Sequence, residues 1–119
     1  ADGTLDLQLV VPKELGGPGG DGANPEKLFA VGYSACFLGA MRVAAGQLKT
    51  KVPDGSTVTA TIGIGPRSEG GFGITAELDV YLPGMAEDEA AKLMDVTHGI
   101  CPYSNAIKAS VDVKTTTRG

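Results

Sequence analysis

Asn24-Pro25-Glu26-Lys27-Leu28-Phe29-Ala30-Val31-Gly32-Tyr33-Ser34-Ala35-Cys36-Phe37 reads as the opening of a long apolar helix. Asn24 can cap it, Pro25 suits the first helical position, and Glu26 sets a negative charge at the positive end of the helix dipole. The pattern continues to about Leu48, with Leu28, Gly32, Ala35, Cys36, Gly39, Val43 and Gly46 recurring at helical spacing along one face. Gly32, Gly39 and Gly46 share one heptad phase. Glycine inside a helix costs about 1 kcal/mol relative to alanine, so that seam predicts close approach by another element. Cys36 lies on the seam and reads either as a small buried thiol chosen for its volume or as a reactive one.

Downstream, Val58, Ala60, Ile62 and Ile64 alternate with polar or small residues, as a half-buried strand does. After the loop 65–71, Phe72, Ile74, Ala76, Leu78, Val80 and Leu82 read as its antiparallel partner. Pro83-Gly84 stops that strand. Glu87, Asp88 and Glu89 open a second helix whose apolar face carries Ala90, Leu93, Met94 and Thr97. Gly99 and the Cys101-Pro102 step end it, because a residue before proline is biased away from helical geometry. Ile107, Ala109, Val111 and Val113 then alternate as a last strand. Upstream, Leu5, Leu7, Leu9 and Val11 predict a first strand, and 12–23 is a glycine- and proline-rich loop. That loop lacks the Lys-Ser/Thr ending of a phosphate-binding loop and the Gly-x-Gly-x-x-Gly turn, so it reads as a surface crossing. The order β, α, β, β, α, β predicts one α+β domain over 1–119, an antiparallel sheet packed around buried central helices.

The chain has 119 residues and a formal charge of −4, with its lysines and arginines scattered. This excludes a nucleic-acid partner as an expectation. The apolar stretches 28–31 and 35–41 are interrupted before membrane-spanning length, and no signal peptide is visible, so a cytoplasmic, membrane-free setting is expected. The chain begins at Ala1 without Met and enters a strand almost at once, which suggests that an upstream strand or hairpin partner is missing.

In a reducing compartment the two cysteines need an explanation other than a structural bridge. They form no Cys-x-x-Cys, and a four-cysteine zinc site has no local support, so neither a metal nor thioredoxin-type chemistry is expected. Folding must bring Cys36 and Cys101 together if they work as a pair, and adjacent helices can satisfy the roughly 7 Å Cα limit of a disulfide. A reactive Cys36 also needs its thiolate stabilised by a cation, a helix N-terminus or hydrogen-bond donors. It sits three turns into its helix, Arg42 points elsewhere, and a basic partner from another part of the fold is predicted. His98, the only histidine, reads as a helix-end residue near carbonyls or as a proton carrier.

The segment Asn24 to Phe37, followed by His98-Gly99-Ile100-Cys101-Pro102-Tyr103-Ser104-Asn105-Ala106, closely resembles the organic hydroperoxide resistance proteins of the OsmC/Ohr family. Glu14-Leu15-Gly16-Gly17 through Gly22 and the Gly71-Phe72-Gly73 turn are similar too, and the Cys-Pro-Tyr-Ser-Asn-Ala phrase favours the Ohr branch. The resemblance implies an oxidative-stress enzyme, a cysteine-based peroxidase that reduces organic hydroperoxides to alcohols. Cys36 would be the peroxidatic thiolate that becomes a sulfenic acid, and Cys101 would resolve it as an intramolecular disulfide before irreversible oxidation. A lipoyl dithiol, as dihydrolipoamide or on a lipoylated protein, would recycle the disulfide as a co-substrate, with no cofactor bound. Phe29, Phe37, Met41 and Met94 would be candidates for an apolar substrate pocket, with ordinary core as their other reading.

Glu26 matches the family's glutamate, which orients an arginine that activates the thiol. In the family that arginine precedes the first strand seen here, and Arg42, Arg67 and Arg118 do not match it, so the chain is expected to lack an N-terminal segment. Ten helical residues, about 15 Å of rise, separate Glu26 from Cys36. The helix therefore breaks, or Glu26 serves a partner's Cys36; an intertwined homodimer is predicted, which agrees with the family. A non-enzymatic binder of apolar ligands and a thiol redox sensor are the alternative readings.

Overall fold

The computed structural model describes residues 24–119; the predicted strand over 5–11 and the glycine-rich loop 12–23 lie outside the described residues. Helix α1 (Pro25–Gln47) starts as its sequence dictates, with Asn24 Oδ1 accepting the Lys27 N–H at 2.8 Å and Glu26 in the first turn. It runs unbroken for 23 residues. It closes in a left-handed turn at Lys49 (φ 58°), where the Lys49 N–H donates to Gly46 O at 3.2 Å and the Thr50 N–H to Ala45 O at 2.9 Å. That paired closure is usually built on glycine.

The face α1 buries differs from the predicted seam. Tyr33, Phe37, Ala40, Met41, Ala44 and Ala45 face inward, while Val43 is 53% exposed. The larger side chains win because they offer far more apolar area than glycine does. Among the described residues, a Cβ at Gly39 or Gly46 would meet nothing within 4 Å, whereas one at Gly32 would meet the Tyr103 ring at 3.3 Å. The apolar runs read as interrupted belong to one helix, and by length and composition α1 could cross a bilayer. Here it packs on the sheet and on the second helix.

Strands β1 (Thr57–Pro66) and β2 (Phe72–Tyr81) form the expected antiparallel hairpin, pairing Val58 with Val80, Ala60 with Leu78 and Ile62 with Ala76. Gly70 (φ 100°) and Gly71 (φ 68°) make its turn, closed by the Arg67 N–H on Gly71 O. Helix α2 (Glu87–Ile100) carries its acidic residues in the first turn and buries Ala90, Leu93, Met94 and Thr97. Then come α3 (Pro102–Ile107) and β3 (Val113–Arg118).

Two expectations are corrected here. Ile107 ends a short helix instead of starting a strand, since Pro102 suits a first helical position and the Ser110 and Val111 N–H groups both turn back onto Ile107 O. Strand β3 pairs parallel with β2, from Ala76 with Val113 to Tyr81 with Arg118, so the α+β sheet is mixed, in the order β1-β2-β3. Two helices lie between β2 and β3, and a connection of that length returns the chain to pair in the same direction. Leu78 and Val80 of β2, Leu93 of α2, and Phe37 and Met41 of α1 meet in the core.

Candidate active site

Cys36 and Cys101 come together: their Sγ atoms are 3.5 Å apart and both thiols are free. Cys36 is partly exposed and Cys101 fully buried. Cys101 is a joint between two helices. Its N–H closes α2 on Thr97 O at 2.8 Å, and its carbonyl accepts the Asn105 N–H at 3.0 Å to open α3. The residue itself is extended (φ −63°, ψ 118°), as the following Pro102 favours.

Burial pushes the Cys36 thiol pKa up, and the neighbouring Cys101 thiol adds to the rise. The Tyr103 backbone works the other way, so among the described residues the stabilising contribution comes from a peptide group. The Tyr103 ring stacks on Phe29, with centroids 5.8 Å apart and planes within 8°. Tyr33 tilts against both rings.

Below the thiols runs a chain of hydroxyl and imidazole groups. Tyr33 Oη and Ser104 Oγ are 2.7 Å apart, Ser104 Oγ and His98 Nδ1 2.8 Å, and His98 Nε2 and Thr115 Oγ1 2.7 Å. His98 thus bonds hydroxyls where helix-end carbonyls were one expectation, and its ring lies 4.8 Å from that of Phe37. Burial lowers the His98 pKa, with Asp95 opposing. Burial raises that of Tyr33; the Ser104 hydrogen bond opposes, and the two thiols add to the rise.

A family model described as OsmC-like protein matches residues 17–116, on a chain that folds with its paired thiols in contact. The chain belongs to the OsmC-like family. The organic hydroperoxide resistance protein of Xanthomonas axonopodis pv. citri is 50% identical over 116 residues, covering 98% of this chain and 81% of that one. The organic hydroperoxide resistance protein OhrB of Bacillus subtilis is 37% identical over 114 residues, 95% of this chain and 82% of that one. A crystal structure of an organic hydroperoxide resistance protein from Legionella pneumophila superposes with a TM-score of 0.89 at 42% identity, covering 99% of this chain and 85% of that one. These likenesses place the OsmC-like chain on the Ohr branch.

The remaining predicted site residues of this OsmC-like chain divide by position. Phe29 lies in the aromatic group with Tyr33 and Tyr103. Phe37 and Met41 are fully buried in the core. Met94 lines a cleft of about 360 Å³ between α2 and β3 with Asp95, His98, Val113 and Thr115. Glu26 lines a separate cleft of about 500 Å³ against Ala60, Ile62 and Ile64 of β1, and its Oε2 is buried with no hydrogen-bond partner among the described residues. Since α1 does not break, the about 15 Å of rise between Glu26 and Cys36 stands. Among the described residues no cluster of His, Cys, Asp and Glu could hold a metal.

Reading by sequence missed Tyr33, Tyr103, Ser104 and Thr115 as parts of the site. Tyr33 lies three residues before Cys36 and Ser104 three after Cys101, so both stand in the phrases that carry the family likeness. Their pairing is tertiary, and nothing local marks a hydroxyl that will meet an imidazole.

Proposed function

We propose that this chain is a cysteine-based peroxidase that reduces organic hydroperoxides, of alkyl or fatty-acid type, in the cytoplasm as part of the oxidative-stress response. The observation that carries this is the 3.5 Å approach of a partly exposed Cys36 to a buried Cys101. The Cys36 thiolate attacks the distal peroxide oxygen; the O–O bond breaks and the alkoxide leaves as an alcohol after taking a proton. Cys101 then attacks the sulfenic sulfur, expelling hydroxide as water and closing a disulfide. The accessible sulfur meets the peroxide and the sheltered one resolves it. The raised Cys36 pKa calls for a cation, and Glu26 Oε2, buried without a partner among the described residues, calls for a positive or donor group. Both needs support an arginine like the family's as the activating group, with Glu26 orienting it at the Cys36 of a second copy in a homodimer.

Phe29, stacked on Tyr103, is the strongest of the four candidates for an apolar wall beside the thiols; Phe37, Met41 and Met94 would shape the site from the core. A dihydrolipoyl dithiol, free or on a lipoylated protein, is the proposed reductant, with no bound cofactor, nucleic acid or membrane involved. The test is intact mass of the reduced protein after one equivalent of cumene hydroperoxide or of hydrogen peroxide. A Cys36 to Cys101 disulfide forming faster with the organic peroxide, absent in Cys36→Ser and replaced by a sulfenic acid in Cys101→Ser, is the expected result. Thiols that stay reduced would overturn the reading in favour of a binder.

A further inference from the structure

The chain Tyr33–Ser104–His98–Thr115 uses a buried serine hydroxyl, a half-buried threonine hydroxyl, a phenol and an imidazole, and none of them takes part in the reaction proposed above. Ser104 stands at its centre. It is 5% exposed and bonded at once to α1 through Tyr33 and to α2 through His98. It sits in the first turn of α3, the turn that follows Cys101 and includes Tyr103, whose backbone lies near enough to Cys36 to work against the rise of its pKa. The resolving thiol and this backbone contact are therefore carried by one short turn. A helix of six residues has little hold of its own, so its placement against α1 depends on tertiary bonds. His98 is in turn fixed to β3 by Thr115.

We propose that Ser104 is the positioning residue of the thiol pair: by tying α3 to Tyr33 and to His98 it holds Cys101 Sγ within reach of Cys36. The inference deepens the peroxidase reading and rests on it for the identity of the oxidant. Once Cys36 is a sulfenic acid, two reactions compete for it. Cys101 closes the S–S bond, breaks S–O and releases water. A second hydroperoxide instead donates an oxygen, giving a sulfinic acid and another alcohol. The first is intramolecular and depends steeply on how the two sulfurs are held; displacement by about 1 Å can cost up to about a hundredfold in rate. Ser104 biases the outcome toward the disulfide without touching the peroxide. Hydroxyl rotors on both sides of the imidazole let the chain persist whether the ring is neutral or charged, since Ser104 and Thr115 can each donate or accept.

The test compares wild type, Ser104→Ala and Tyr33→Phe by mass spectrometry, at concentrations where each gives a native far-UV spectrum. The readout is the ratio of sulfinic acid to disulfide at Cys36 under excess cumene hydroperoxide. It is internal to each oxidised molecule, so a general loss of folded protein does not move it. A parallel arm uses diamide, to which a thiolate adds across the N=N bond before the second thiol displaces it, leaving disulfide and hydrazine. Ser104→Ala is expected to raise the ratio about tenfold or more and to slow diamide closure similarly, with Tyr33→Phe shifted the same way by less. Wild-type ratios and closure rates in both variants would overturn the proposal; should Ser104→Ala fail to fold, an unchanged Tyr33→Phe would do so. Slower diamide closure in the variants, beside a wild type that hydroperoxide leaves reduced, would sustain the positioning role and sink the peroxidase reading.

Discussion

Replacing Gly32 with alanine sets two effects of similar size against each other. Gly32 lies inside α1, where alanine is worth about 1 kcal/mol over glycine. A Cβ there would stand 3.3 Å from Tyr103 Cε2 and 3.4 Å from its Oη, so the ring must give by a few tenths of an ångström. Tyr103 is 39% exposed and can move, at the expense of its stack on Phe29, an arrangement worth about 0.5–1.5 kcal/mol when complete. A small displacement loses only part of that. Gly32→Ala should therefore be neutral to stabilising, by less than about 1 kcal/mol, or at most about 4 °C in Tm for a domain of this size. Gly99→Ala is the reference, because a Cβ at that helical glycine meets nothing within 4 Å. Thermal unfolding of both variants by circular dichroism, with reductant present, reads the difference. Because the Tyr103 backbone works against the rise of the Cys36 pKa, Gly32→Ala should raise the pH midpoint of Cys36 alkylation while Gly99→Ala leaves it alone. A loss of more than about 1 kcal/mol in Gly32→Ala would show that the ring cannot yield and that the aromatic group is locked rather than adjustable.

Other outcomes follow from the same geometry. Lys49→Gly relieves a left-handed residue whose hydrogen bonds need no side chain, and should stabilise by about 0.5–1 kcal/mol in urea unfolding. Phe37→Ala empties a fully buried site between the helices and should cost about 3–5 kcal/mol, shifting the urea midpoint without a matching change in slope. Burial holds the His98 proton affinity below its ordinary value, so the unfolded chain binds a proton that the folded one resists. Stability should then be full above the usual imidazole range and decline as pH falls through the lower folded value, a slope that His98→Gln should flatten in denaturant titrations from pH 7 to pH 5.

Much of the frame was readable from local rules. The Asn24-Pro25-Glu26 start of α1, the alternating hairpin and the acidic start of α2 all stand where the sequence places them, because capping, alternation and dipole charge act within a few residues. What was misread depends on distant partners. The glycine seam of α1 looked like a packing face, yet Tyr33, Phe37 and Met41 decide which side is buried, and they do so by meeting β2 and α2. The pattern at Ile107, Ala109, Val111 and Val113 has a strand's period, but the turn closed on Ile107 O delays the strand to Val113. Its parallel pairing with β2 has no local signature. At the site, the meeting of Cys36 and Cys101 was open as a possibility, whereas the hydroxyl chain through Ser104 was out of reach, since it links α1, α2, α3 and β3.

The joint at Cys101 fixes the regiochemistry of any later thiol exchange. Its peptide groups are held from both sides, by Thr97 below and Asn105 above, so bridging to Cys36 leaves the backbone there little freedom to shift and falls to rotation of the side chain. The bridged sulfur of Cys101 stays sheltered while that of Cys36 keeps its partial exposure. An incoming thiol therefore bonds to Cys36 and expels Cys101 as the leaving group, and a mixed disulfide trapped in mid-exchange should be found on Cys36 alone.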